Sequence, residues 1–214
     1  MYNGIFSWAV YIIGGYFLGG IMFSRILPKM IYGRDVTKVS DDRNPGAANV
    51  FMHCGVAAGF LCLALDMLKG AVPVYAALRA LDFRSLLFAA VMTAPVFGHA
   101  TSPFKRSGGG KCIATSFGVL IGILPVTPVV FVLAGAYIVF STVIKINPNR
   151  RRSIAAFLVF GSVSAVLLCR RGMFSVALGC TMISIIAIIR NIKKFCMPEV
   201  KSEKLAVSEA KPRL

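Results

Sequence analysis

Acid is scarce in this chain. Only 8 of its 214 residues are Asp or Glu, against 24 Lys and Arg, and the net charge is +16. Apolar residues make up 57% of it, a composition that excludes an ordinary soluble globular domain. Strict alternation of apolar and polar residues is also missing, which excludes a transmembrane barrel. Cys54, Cys62, Cys112, Cys169, Cys180 and Cys196 show no C-x-x-C spacing. Most fall in or beside apolar runs, where a free thiol behaves as a small hydrophobe, so neither disulfides nor a metal centre are expected. No basic region precedes the first apolar stretch, which therefore reads as a retained helix rather than a cleaved signal peptide. The cations lie in loops between apolar runs, and no RNA-type motif or basic folded face accompanies them. Nucleic acid is excluded as a partner on that ground.

What is present is a succession of apolar runs approaching the length that crosses a bilayer. The chain therefore reads as an all-α polytopic membrane protein of about seven transmembrane helices. The spans run from about Gly4 to Ser24, Gly55 to Leu78 and Ser85 to Gly98. The next lies between Lys111 and Leu124, followed by Pro128 to Val143, Ile154 to Leu168 and Gly172 to Ile189. Merging the fourth and fifth gives a six-span alternative, but Pro125 and Pro128 beside Thr127 favour a tight turn. With seven spans, Arg25, Lys29, Arg34, Lys38, Arg43, Lys105, Arg106, Lys111, Lys145, Arg150, Arg151, Arg152 and the tail from Arg190 share one side. Only Arg79, Arg84, Arg170 and Arg171 lie on the other. This asymmetry predicts the N-terminus outside and the C-terminus in the cytoplasm. Residues 1–197 form a single membrane domain, and the charged segment 198–214, without an apolar face, is expected to be a disordered cytoplasmic tail.

The densest polar stretch is the loop Gly98-His99 to Gly108-Gly109-Gly110-Lys111, between the third and fourth spans. Three glycines allow positive φ and uncovered N–H groups, a concavity suited to phosphate. Lys111 adds a point charge ahead of an apolar helix. It is not a Walker loop, because Lys105 stands where that pattern needs Gly and Cys112 where it needs Ser or Thr. Before the second span, Arg43-Asn44-Pro45-Gly46-Ala47-Ala48-Asn49 combines turn chemistry with two amides and a guanidinium fork. Asp41 and Asp42 would repel an anion unless Arg43 or Lys38 pairs with them. Asp66 and Lys69, three apart in the second span, share a helix face, either as an internal ion pair or as groups that position a site. Near the end, Arg190-Asn191-Ile192-Lys193 is a basic run in which Asn191 is the unexpected residue.

Together these segments resemble the bacterial acyl-phosphate:glycerol-3-phosphate acyltransferases. The blocks are Leu18-Gly19-Gly20-Ile21, Asn44-Pro45-Gly46-Ala47-x-Asn49-Val50, Leu65-Asp66-x-Leu68-Lys69-Gly70 and Gly98-His99. Gly109-Gly110-Lys111-x-x-Ala114-Thr115 and Asn191-Ile192-Lys193 complete the series, in the family's order. The resemblance implies a seven-helix fold in the bacterial cell membrane with a site facing the cytoplasm. It implies transfer of a fatty acyl group from acyl phosphate to the 1-hydroxyl of glycerol 3-phosphate, giving lysophosphatidic acid without metal or CoA. Partners would be acyl phosphate, glycerol 3-phosphate and membrane lipids, with no cofactor. The implied catalytic residues are His99, Lys111 and Asn191. Implied substrate contacts are Gly108, Gly109, Gly110, Thr115, Arg43, Asn44, Gly46, Asn49, Lys69 and Lys193. His99 is a general-base candidate near neutral pH. The chain departs from the family at Asp41-Asp42-Arg43, where Gly-Ser-Gly is usual, and at Met52, where Arg is frequent. Lys105 or Arg106 would replace a Lys missing at Ser107-Gly108. A different phosphorylated polyol acceptor is therefore one alternative, and a non-enzymatic carrier of anionic lipids is another. The latter lacks the repeats expected of a carrier.

Overall fold

The computed structural model of the protein describes residues 4–40, 42–104 and 108–195, with only the backbone described for 193–195. The expected tail 198–214, the side chain of Lys193, and Asp41, Lys105 and Arg106 lie outside the described residues. Everything described is helix or connecting loop. In order, the helices are α1 (Ile5–Gly20), α2 (Phe23–Tyr32), α3 (Val36–Val39), α4 (Ala47–Cys54), α5 (Val56–Ala80) and α6 (Leu87–Thr101). They continue with α7 (Ile113–Gly122), α8 (Val130–Ile138, running on into a π-helical turn at Val139–Val143), α9 (Asn149–Arg170) and α10 (Phe174–Phe195).

Among the described residues, α5, α9 and α10 are long and apolar enough to cross a membrane, and α1 with α2 makes a fourth if the pair is one span bent by 41°. The apolar helices α6, α7 and α8 are shorter. Of these, α6 and α7 supply much of the core. Phe88, Met92 and Val96 of α6 meet Val119 and Leu120 of α7, Phe157 and Phe160 of α9, and Ile183 of α10. On the outside, Ile5, Phe6, Val10, Ile13 and Phe17 of α1 and Val163, Val166 and Leu167 of α9 are exposed, an apolar surface suited to lipid.

The first expected span, Gly4 to Ser24, is interrupted before its end. Gly19 and Gly20 are poor helix formers, and the helix breaks at Ile21, whose backbone is extended. The chain then resumes as α2, whose Phe23, Ile26, Leu27, Met30 and Ile31 recur at helical spacing. With α3 and α4, it builds a small second core of Val36, Ala47, Val50, Ala58 and Cys62 beside the start of α5.

Two close approaches place the functional loops. A Cβ on Gly98 of α6 would lie 1.9 Å from the Tyr16 carbonyl oxygen of α1, and one on Gly118 of α7 would lie 1.9 Å from the Met67 carbonyl oxygen of α5. Only glycine allows backbones this close. The first contact fixes His99, the next residue of α6, beside the break in α1. The second fixes α7, and with it Lys111, against the part of α5 that carries Asp66 and Lys69.

Candidate functional site

The break at Ile21 leaves a carbonyl without a helical partner, and Lys69 takes it at 2.5 Å. The same ammonium reaches the Asp66 carboxylate at 2.7 Å and His99 Nδ1 at 2.9 Å. Lys69 thus links the break in α1, its own helix and α6 through one buried ammonium. Lys69 and Asp66 are both nearly fully buried. Ser24 of α2 donates to the other Asp66 oxygen at 2.5 Å. Lys69 and Asp66 thus form an internal ion pair, one of the two readings of their shared helix face. The Lys69 contact on His99 is to the ring nitrogen turned away from Gly110, since a Cβ on Gly110 would lie 2.2 Å from His99 Nε2.

The glycine loop is packed rather than open. The Gly110 N–H donates to the His99 carbonyl oxygen at 3.1 Å, so this donor is not the uncovered group that the sequence suggested. The physical need for glycine at 109 and 110 is close approach: a Cβ on Gly109 would meet the His99 carbonyl oxygen at 2.0 Å. Gly108 has φ of 74°. From α10, the Arg190 guanidinium donates to the Gly109 carbonyl at 2.5 Å and the Gly110 carbonyl at 3.2 Å. Asn191, fully buried, donates to the Ala187 carbonyl at 2.8 Å and lies 3.5 Å from the Lys111 carbonyl. Its Oδ1 and the Thr115 hydroxyl are buried without a hydrogen-bond partner among the described residues.

In front of this loop, Asn44-Pro45-Gly46 turns the chain into α4, whose first turn carries Asn49. Lys111 Nζ lies 2.7 Å from an Asp42 oxygen. Asn49 donates to the other Asp42 oxygen at 2.8 Å and to the Asn44 carbonyl at 2.7 Å, and the Asn44 N–H reaches Asp42 at 3.0 Å. Burial alone would raise the Asp42 carboxyl. The hydrogen bond and charge of Lys111, with Asn49 and the Asn44 N–H, hold it down at about 2. Asp42 is thus paired by Lys111, distant in sequence, and not by Arg43 or Lys38. Both of those are exposed.

A cavity of about 530 Å³ opens from this cluster. Its wall carries the polar residues Asp42, Asn44, Asn49, Asp66, His99 and Lys111 and the apolar residues Phe51, Leu63, Met67, Ile113 and Phe117. A wall of both kinds suits an amphiphile. Of the expected contact residues, Asn44, Gly46, Asn49, His99 and Lys111 line it. Gly108, Gly109, Gly110, Thr115, Lys69 and Asn191 stand behind that wall, and Arg43 lies off it. Met52, Asn149 and Arg152 also line the cavity. Arg152 was legible only as one of three consecutive cations, with nothing to single it out.

A family model described as glycerol-3-phosphate acyltransferase matches residues 9–197. The chain belongs to that family. Glycerol-3-phosphate acyltransferase 2 of Thermotoga maritima is 37% identical over 136 residues, which are 64% of this chain and 68% of the relative. The glycerol-3-phosphate acyltransferase of Roseiflexus is 38% identical over 153 residues, 72% of each. Among solved structures, the glycerol 3-phosphate form of PlsY (YgiH), an integral membrane glycerol 3-phosphate acyltransferase, superposes with a TM-score of 0.75 at 27% identity. That match covers 88% of this chain and 90% of the other, and the lysophosphatidic acid form gives 0.72. The family model spans every block on which the resemblance was argued. This glycerol-3-phosphate acyltransferase family member is all-helical among its described residues and a membrane protein.

Proposed function

We propose that the protein moves a fatty acyl group from acyl phosphate to the 1-hydroxyl of glycerol 3-phosphate, releasing lysophosphatidic acid and inorganic phosphate. As a member of the glycerol-3-phosphate acyltransferase family it is an acyltransferase of phospholipid synthesis. The observation that carries the finer reading is the cavity wall, which brings Lys111, Asn44 and Asn49 together with a set of apolar side chains. In the reaction, the 1-hydroxyl oxygen bonds to the acyl carbon and the bond from that carbon to the phosphate oxygen breaks. The hydroxyl proton goes to the departing phosphate or to a nearby base. Lys111 stabilises the charge that grows on the leaving phosphate. Asn44 and Asn49 orient the acceptor, while His99, held from behind by Lys69, faces the head of the cavity as a polar contact. Asn191 and Arg190 keep Lys111 and the glycines in register.

The bundle crosses the membrane seven times in this reading, with the short apolar helices α6, α7 and α8 as spans beside the longer ones. The cation asymmetry puts the N-terminus outside and the site on the cytoplasmic face of the bacterial inner membrane. Residues 1–197 act as one domain. The donor and acceptor are tested by incubating purified protein with acyl phosphate or acyl-CoA and a panel of phosphorylated polyols. Product from acyl phosphate and glycerol 3-phosphate supports the reading. Product only from acyl-CoA, or only with another polyol, overturns that part of it.

A further inference from the structure

Three donors converge on the Asp42 carboxylate: Lys111 Nζ at 2.7 Å, Asn49 Nδ2 at 2.8 Å and the Asn44 N–H at 3.0 Å. A charged donor with two amide N–H groups, fixed by a turn and the first turn of α4, is the set that binds an oxyanion such as phosphate. The head of the cavity therefore already contains an anion, and that anion belongs to the protein. Asp66, the other carboxylate in the cavity wall, is occupied by Lys69 and Ser24. Arg152 enters the wall from α9 and contacts Asn149 of the same turn.

We propose that Asp42 is an internal competitor for the phosphate position on Lys111, and that it sets how tightly this protein holds a phosphate-bearing substrate. The inference rests on the acyltransferase reading for the identity of that substrate, but the cradle itself is read from the three donors. A substrate phosphate seats on Lys111, Asn49 and the Asn44 N–H only when the Asp42 side chain rotates out. The route is short, because that side chain is one-quarter exposed and sits in the loop between α3 and α4. A phosphate brings three oxygens and more charge than a carboxylate, so it replaces every contact that Asp42 gives up. An internal ligand that fills the cradle about 90% of the time weakens an external one about tenfold. The residue thus acts on affinity rather than on the chemical step, and its conservative replacement changes KM more than kcat.

The test is orthophosphate binding to the full-length protein in detergent, followed by phosphorus NMR or calorimetry, for the wild type, Asp42→Asn, Asp42→Ser and Asp42→Asn with Lys111→Ala. Thermal melts verify that each variant is folded, and Asp42→Ser serves if Asp42→Asn is not. The expected result is about tenfold tighter binding on removal of the Asp42 charge, abolished when Lys111 is also removed. Steady-state KM values identify which phosphate uses the cradle, since only that substrate's KM falls in Asp42→Asn. Equal or weaker orthophosphate binding in folded Asp42→Asn and Asp42→Ser overturns the inference, even if the wild type makes lysophosphatidate. An inactive wild type whose Asp42 variants still gain phosphate affinity overturns the acyltransferase reading and leaves the internal competitor standing.

Discussion

Arg190 of α10 closes on the glycine loop from behind, donating to the carbonyl oxygens of Gly109 and Gly110 at 2.5 and 3.2 Å. Two parallel contacts of this kind need the planar fork of a guanidinium, which an ammonium cannot copy. The contact ties the last helix to the loop that presents Lys111. Arg190→Lys keeps the charge and loses the fork. It is expected to lower kcat about tenfold while the melting temperature stays within a few degrees of wild type, because a misplaced loop disturbs alignment before it disturbs packing. Equal loss of melting temperature and activity would make the contact merely structural.

Gly110 lies against the His99 ring, and a Cβ there would be 2.2 Å from Nε2. Gly110→Ala therefore displaces either the ring or the loop. Turnover is expected to fall by up to about 100-fold, as a shift of about 1 Å at a reacting site does. Gly14→Ala is the control, since nothing lies within 4 Å of a Cβ at that position. It should leave turnover unchanged and raise helix stability slightly.

The Asp66–Lys69 pair is buried, with the ammonium also holding the Ile21 carbonyl and His99 Nδ1. Asp66→Asn leaves the Lys69 charge without its counterion, which costs about 3–5 kcal/mol in buried pairs. The joint replacement Asp66→Leu with Lys69→Met should recover much of that loss and still be inactive, because the Lys69 contact to His99 Nδ1 is then lost. Calorimetric or denaturant unfolding in detergent, paired with a turnover assay, separates the two effects.

The Asp42 carboxyl is held at about 2, below its ordinary 3.8, chiefly because Lys111 and its neighbours outweigh the effect of burial. A depressed carboxyl stabilises the fold fully above its unfolded value, and that contribution disappears as pH falls toward the folded one. The stability difference between wild type and Asp42→Asn should therefore be flat from about pH 5 upward and shrink as the pH is lowered toward 2. Melting temperatures measured across that range check it. A difference that changes near neutral pH would contradict the pairing.

Much of this fold was legible because long apolar helices advertise themselves. The expected span from Gly55 to Leu78 is α5 to within a few residues, and the span after Lys111 begins at Ile113. The break at Ile21 was harder to read: Gly19-Gly20 signalled a motif, and only packing against α6 turns it into a bend that frees a carbonyl for Lys69. The helices α2, α3 and α4 were absent from the expectation because short amphipathic segments draw their stability from tertiary contacts, here Val36 and Val50 against Ala58 and Cys62. At the site, residue types were readable but partners were not. Lys111 and Asp42 are far apart in the chain, so no local spacing announced their ion pair. The glycines were expected to bare their N–H groups, whereas Gly110 spends its own on His99 and offers its carbonyl to Arg190.

The central claim is that Lys111 works at the head of a lipid-sized cavity on an activated acyl donor. Purified wild-type protein given acyl phosphate and glycerol 3-phosphate, with lysophosphatidate and orthophosphate quantified together, tests it directly. The expected result is equimolar lysophosphatidate and orthophosphate from the wild type and none from folded Lys111→Ala. Full turnover by Lys111→Ala, or no lysophosphatidate from the wild type, would contradict the claim.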